Sequence, residues 1–202
     1  MRTVMELPAG CVPIDEIDLQ KDKKLLLLVN GLALVILLAF GIPGHMLVPV
    51  STIHDTADGV GMMLLRVGVM LVGVVAYIIL HELVHGVFIK KYSGEPAFYG
   101  FTGIYAYAGS KAYFAKKDYF VIALAPVVFW GVVLAVLNPL VPRSWFWVVY
   151  FIQLTNLSGA AGDLYVVWRF SRLPQNVLIQ DHSVSMVVYA PVAEKKEINI
   201  FT

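Results

Sequence analysis

Long runs of apolar residues recur along the chain, and four of them are long enough to cross a membrane as helices. A helix that spans the hydrocarbon core of a bilayer needs about 20 mainly apolar residues. The third run contains Pro126, where we expect a kink because proline cannot donate the helical backbone hydrogen bond. Arg66 lies near one end of the second run, where its guanidinium is expected to extend to the membrane interface. The four predicted spans are residues 25–42, 61–88, 119–141 and 145–168.

Two further segments alternate aromatic or β-branched residues with small or polar ones. Residues 93–117 mix glycine with alternating aromatics, which predicts short strands near the cytoplasmic interface. The tail alternates on both sides of Asp181-His182-Ser183, which predicts a small hairpin. The predicted fold class is therefore an all-α polytopic membrane protein with four transmembrane helices and small cytoplasmic β-strand elements. Its expected regions are a cytoplasmic N-terminal segment (1–24), a four-helix transmembrane domain (25–170) and a cytoplasmic C-terminal strand segment (171–202).

Composition supports the membrane class and excludes several kinds of partner. The chain is 59% hydrophobic and only 14% charged, whereas a soluble domain has about 25% charged residues. A net charge of +1 without any basic run gives no reason to expect nucleic acid as a partner. The single cysteine, Cys11, excludes an internal disulfide and disfavours a thiolate metal site. The first 24 residues are too polar for the apolar region of a signal peptide.

The distribution of lysine and arginine predicts the orientation in the membrane. Basic residues precede the first span, occur between the second and third spans, and follow the fourth, whereas residues 43–60 contain none. Because cytoplasmic connections are enriched in lysine and arginine, we expect a multi-pass protein with both termini in the cytoplasm. The basic residues used here are Lys21, Lys23, Lys24, Lys90, Lys91, Lys111, Lys116, Lys117, Arg169, Arg172, Lys195 and Lys196, with only Arg143 in the short turn before the fourth span.

The second span contains the sequence His-Glu-Leu-Val-His at residues 81–85, within an apolar run. An ionisable group inside a bilayer costs about 2.5–3.5 kcal/mol on insertion scales, so such a cluster requires a function. On a helix, His81 and His85 project from the same face, one turn apart, where two imidazoles can bind one zinc ion. Glu82 points about 100° around the helix and can act as general base on a water bound to that ion. The alternative, a chance match to a short pattern, is the weaker interpretation inside an apolar span.

A third zinc ligand is expected from Asp163. A catalytic zinc usually has three protein ligands and an open position, and the first and third spans contain no Asp, Glu or His. His85 precedes Lys90 by five residues, and Asp163 precedes Arg169 by six. These separations correspond to about 7–8 Å and about 9 Å along a helix, so the two residues lie at similar depth in parallel spans. The alternative for Asp163 is a capped or snorkelling acid among small residues that serve packing only.

The motif and its neighbours resemble those of a known family. HELVH at the cytoplasmic end of one span, followed by a glycine- and aromatic-rich loop and a later span with Asn and Asp, resembles the site-2 protease group of intramembrane zinc metalloproteases. More closely, "HELVHG" with "NLSGAAGD" and a short C-terminal strand segment is similar to a small bacterial family of putative membrane zincin peptidases. The resemblance covers roughly residues 60–190. It implies a bacterial cell-membrane enzyme, and it implies that Asn156 contacts the backbone of the substrate.

The resulting hypothesis is a zinc metallopeptidase that hydrolyses peptide bonds of membrane-associated substrates. His81, His85 and Asp163 bind Zn²⁺, and Glu82 moves the proton. The expected partners are the lipid bilayer and a membrane-protein or peptide substrate, which strands within residues 98–115 can hold by β-addition. An equal interpretation of Tyr105, Tyr107 and Tyr113 in this segment is an interfacial aromatic belt. Two alternatives are a zinc-binding pseudoprotease or binding protein, and a metal or proton transporter. The transporter is disfavoured because the ionisable residues cluster at one depth only.

Overall fold

The described part of the chain is mainly helical. The computed structural model describes residues 1–18, 21–103, 105–182 and 185–192, so the predicted basic positions Lys195 and Lys196 lie outside it. Three of its helices are long and apolar enough to cross a membrane, which confirms the first three predicted spans and indicates membrane association. The helices of the described residues are α1 (Lys23–Leu47), α2 (Val60–Ser93), α3 (Lys116–Leu137), α4 (Phe146–Gly159) and α5 (Ala161–Ser171).

The predicted fourth span is divided into two helices. We expected one helix over residues 145–168, but α4 ends at Gly159 and α5 begins at Ala161. The break falls in the run Gly-Ala-Ala-Gly at residues 159–162, where glycine weakens the helix interior. A fourth continuous transmembrane helix is therefore not confirmed, and Asp163 lies in the first turn of a new helix.

Both segments that were predicted to contain strands do so. Residues 93–117 contain β2 (Phe98–Phe101), β3 (Ala106–Gly109) and β4 (Tyr113–Ala115), and the tail contains the hairpin of β5 (Leu178–Asp181) and β6 (Ser185–Pro191). Strands β2 and β3 pair with each other as an antiparallel ribbon. The other strands form an antiparallel sheet in the order β1-β6-β5-β4, in which β1 comprises Cys11–Asp18.

Strand β1 was not expected from the sequence. It pairs with β6 from Cys11 opposite Pro191 to Asp18 opposite Ser185, and the register shifts between Pro13 and Asp15. A bulge of this kind interrupts the alternation that identifies a strand in a sequence. The strand also contains a proline, which the sheet tolerates because β1 is at its edge.

The chain divides into two compact units. The first comprises Met1–Leu27, Glu82–Ala125 and Asp163–Thr202, and it contains the strands and α5. In this unit Arg169 of α5 forms a two-pronged ion pair with Asp15 of β1, at 2.6 Å and 2.9 Å. The pair therefore joins α5 to the edge strand of the sheet. The buried apolar side chains of this first unit include Ile17, Phe114, Phe170, Leu178, Ile179 and Val188.

The second unit comprises Leu28–His81 and Pro126–Gly162. Arg66, which we expected to extend to the membrane interface, is instead buried in this unit, with 1% of its surface exposed. Its guanidinium donates to the backbone carbonyls of Asp55 at 3.0 Å and Thr52 at 3.3 Å. The expectation was wrong because the connection before α2 offers several carbonyl oxygens to which a five-donor side chain can donate. Arg66 thus anchors that connection to the start of α2.

Candidate metal centre

The two histidines of the motif lie one turn apart on α2. Because α2 is continuous through residues 81–85, its backbone alone fixes their spacing. Asp163 belongs to the first unit with His85, and its Oδ1 atom is 3.8 Å from His85 Nε2. One ligand atom from each of His81, His85 and Asp163 lies within 4.8 Å of the other two. Among the residues that the structure describes, this is the one group of three or more such side chains that can hold a metal ion.

The ring of His85 is oriented by a carbonyl of α3. Its Nδ1 atom is 2.9 Å from the carbonyl oxygen of Ile122, which can only accept a hydrogen bond. Neutral His85 therefore has its proton on Nδ1, and the lone pair is on Nε2, the atom near Asp163. The carbonyl is available because residue 126, which would normally donate to it within the helix, is Pro126. Pro126 thus leaves an acceptor available for a candidate metal ligand.

The ring of His81 is oriented by a buried hydroxyl. Its Nδ1 atom is 2.7 Å from the Tyr77 hydroxyl, one turn earlier on α2. The same hydroxyl donates to Oδ1 of Asn156 at 2.9 Å, and Nδ2 of Asn156 donates to the carbonyl of Val127 at 3.1 Å. Asn156 is fully buried, and Tyr77 and His81 are 5% and 8% exposed. The three side chains therefore form a hydrogen-bonded network away from bulk water.

Asp163 is presented by the break between α4 and α5. It is the third residue of α5 and the acidic residue of its first turn. A carboxylate oxygen is a common zinc ligand, so the start of α5 provides an oxygen donor for a metal. The division of the predicted fourth span therefore places a candidate metal ligand in the first turn of a helix.

The donor set fits zinc. Two imidazole nitrogens and one carboxylate oxygen are the three-ligand set of many catalytic zinc sites, and they leave a fourth position for water or substrate. With bonds of about 2.0–2.2 Å, two ligands of a tetrahedral zinc ion are about 3.3–3.6 Å apart. The distance of 3.8 Å between His85 and Asp163 requires a closure of only a few tenths of an ångström. Both histidines also have a hydrogen-bond partner on Nδ1, as metal-binding histidines usually do.

The remaining predicted site residues have different surroundings. Glu82 follows His81 on α2 and is partly buried. Asn156, predicted to contact substrate, is buried with its amide bonded to Tyr77 and Val127, so its substrate role stays a prediction. Sequence reasoning missed Tyr77, although a hydroxyl four residues before His81 in an apolar span was a signal for a partner on the same helix face.

The β2–β3 ribbon of the first unit lies against α2 next to the motif. The hydroxyl of Tyr99 in β2 occupies the space where Gly86 would have a Cβ atom. Any larger residue at position 86 would displace this tyrosine, so glycine there permits the close approach. Strand β2 is thereby held beside His85, which immediately precedes this glycine.

Comparisons with known proteins agree with the chemistry of this site. A family model described as "Putative zincin peptidase" matches residues 74–178, just over half of the chain, a range that includes both histidines, Glu82 and Asp163. No curated protein and no solved structure matches the chain. Zincins are zinc-dependent peptidases, so the description implies zinc as the metal of this centre.

Proposed function

Because the chain belongs to the "Putative zincin peptidase" family, we propose that it is a membrane-embedded zinc metallopeptidase that hydrolyses peptide bonds of membrane-associated proteins. The observation that supports this most strongly is the convergence of His81, His85 and Asp163 within 4.8 Å beside Glu82. A site that served structure only would not need a carboxylate base next to its first histidine. The resemblance to site-2 proteases stays a prediction.

In this proposal His81, His85 and Asp163 hold the ion. When bound, zinc lowers the pKa of a water molecule toward neutrality and polarises the scissile carbonyl. His85 keeps Nε2 toward the ion because the Ile122 carbonyl holds the proton of Nδ1. The carboxylate of Asp163 would offset part of the positive charge of the ion.

Glu82 moves the proton. Its carboxylate accepts a proton from the attacking water and then donates it to the nitrogen of the departing peptide fragment. Because Glu82 directly follows His81 on α2, it lies at nearly the same height along the helix as this ligand. The same group therefore acts as base in the first half of the reaction and as acid in the second.

The proposed location is the cell membrane, with several spans and both termini in the cytoplasm. Large apolar side chains cover the outside of α1 and α2, which favours contact with lipid rather than water. We propose that α4 and α5 together complete a fourth crossing. Lys90 and Lys91 lie in the last turn of α2, which we place on the cytoplasmic side, so water reaches the centre from the cytosol.

Strand β2 is the proposed contact for an extended substrate. It pairs on one side with β3, and Tyr99 holds it against α2 next to His85. A peptide that adds to its other edge would gain main-chain hydrogen bonds and be drawn out of helical structure, which exposes its peptide bonds to the centre. Tyr107 packs its hydroxyl against Gly100 within the ribbon, which is equally consistent with an interfacial aromatic position.

The test compares new protein N-termini in membranes that contain wild-type protein or Glu82→Gln. The variant keeps the size and hydrogen-bonding oxygen of the side chain but removes the base, so zinc should stay at about one per chain. Cleavage should fall by two or more orders of magnitude. Glu6→Gln, at an exposed position remote from α2 in sequence, is the matched control and should cleave as the wild type does.

Equal cleavage by wild type and Glu82→Gln would refute the peptidase mechanism. Wild-type protein that binds zinc but yields no Glu82-dependent N-termini in any membrane preparation would favour the zinc-binding pseudoprotease instead.

A further inference from the structure

The hydrogen bonds around His81 determine which nitrogen of its ring is available to a metal. The carbonyl of Val127 can only accept, so the atom of Asn156 that faces it is the amide nitrogen, and the amide oxygen faces Tyr77. That oxygen also only accepts, so the single proton of the Tyr77 hydroxyl points to Asn156. Toward His81 the hydroxyl presents a lone pair, and the 2.7 Å contact therefore requires a proton on His81 Nδ1.

We propose that Tyr77 and Asn156 are positioning residues of the metal centre, which hold His81 with its proton on Nδ1 and its Nε2 lone pair available to zinc. This deepens the proposed function and rests on it. The role differs from the predicted substrate contact of Asn156, because it acts on the metal ligand and needs no substrate.

Burial prevents water from substituting for these hydrogen-bond partners. Asn156 is fully buried, and Tyr77 is 5% exposed, so water cannot readily replace a lost partner. The cost of leaving a buried polar group unpaired is enough to change which nitrogen of an imidazole holds the proton. Trp130 packs edge-on against the Tyr77 ring at 6.4 Å between centroids and limits its rotation.

Both histidines have their proton on Nδ1, but the groups that accept this proton differ. His85 Nδ1 contacts the carbonyl of Ile122, whereas His81 Nδ1 contacts the hydroxyl of Tyr77. A hydroxyl can donate or accept, so by itself it does not define the ring's proton position. Asn156 removes that ambiguity by taking the hydroxyl's proton. The asparagine is therefore required only because the first partner is a tyrosine.

The experiment measures the Kd for zinc by chelator competition, with Zn²⁺ alone as the probe and full-length protein in detergent. Tyr77→Phe removes the acceptor of the His81 proton, and Asn156→Leu leaves the tyrosine proton free to turn toward His81. Each should raise the Kd about 10–100-fold, the usual cost of losing such a partner. The double variant should be no worse than Tyr77→Phe, because Asn156 acts only through the tyrosine.

Gln153→Leu is the matched control. Gln153 lies one turn before Asn156 on α4, and its amide likewise donates to an α3 carbonyl, that of Gly131, at 3.3 Å. Because its hydrogen bond goes to Gly131 and not to Tyr77, its loss should leave the Kd within about twofold. Thermal unfolding of the metal-free variants then separates a loss of packing from a loss of zinc affinity.

An unchanged Kd in Tyr77→Phe or in Asn156→Leu would overturn the proposal, as would an equal effect of Asn156→Leu in the presence and absence of the tyrosine hydroxyl. If Asn156→Leu does not fold, Tyr77→Phe alone decides. An Asn156 variant with normal zinc affinity but impaired cleavage would support the substrate contact instead. Full zinc retention by His81→Ala would refute the metal centre itself. This outcome is distinct from a failure of the positioning role, in which His81 would still be needed for zinc binding.

Discussion

Replacement of Asp163 tests the third ligand and its geometry together. Zinc binding by a four-ligand structural site has an apparent free energy of about 10–16 kcal/mol, or about 2.5–4 kcal/mol for each ligand. Since about 1.4 kcal/mol corresponds to tenfold in Kd, Asp163→Ala should weaken zinc binding about 10²–10³-fold. Asp163→Glu lengthens the side chain by about 1.5 Å, whereas the His85–Asp163 pair needs a closure of only a few tenths of an ångström, so binding should recover only in part.

The assay is zinc content after purification, followed by chelator competition, and Asp58→Ala is the control. Asp58 has a carboxylate that is 62% exposed and lies 3.6 Å from Arg66, outside the group of ligand atoms. Its replacement should leave zinc content unchanged. Undiminished zinc in Asp163→Ala would refute the assignment and direct the search for the third ligand to Glu95 and His182.

Two further predictions concern the orientation in the membrane and the proline of α3. Reporter fusions after Lys117 and at the C-terminus should be cytoplasmic and a fusion near His54 external; an external tail would contradict access of water from the cytosol. Pro126→Ala supplies an N–H group that competes with His85 for the Ile122 carbonyl, so the Kd for zinc should rise tenfold or more while the metal-free protein unfolds at a higher temperature. Unchanged zinc affinity in this variant would show that the proline is not needed to orient the histidine.

The sequence predicted the features that depend on local pattern. Apolar runs of sufficient length identified α1, α2 and α3, because a membrane span needs little beyond length and hydropathy. The spacing of His81 and His85 identified their common helix face, since four residues make about one turn. Counting residues to the nearest basic side chain also suggested Asp163, which the structure brings within 3.8 Å of His85.

The features that were missed depend on tertiary partners. Arg66 looked like a snorkelling residue because the carbonyls that satisfy it belong to residues up to 78 positions away. Strand β1 was hidden by its bulge, which shifts the alternation between Pro13 and Asp15. Tyr77 looked like one more apolar residue of a span, and its hydrogen bond to Asn156 joins residues that are 79 positions apart.

The pairing of β1 with β6 also has a consequence for how the chain is made. About 170 residues separate the two strands, so at about 5–20 residues per second β1 leaves the ribosome some 8–35 s before its partner. Unpaired strand edges aggregate, and the proline and three acidic residues of β1 are the kind that discourage such pairing. Helix α5, which contains Asp163, is likewise translated late, so Asp15 is synthesised well before its ion-pair partner Arg169. The candidate metal centre can therefore be completed only after α1, α2 and α3 and the start of α5 have been synthesised.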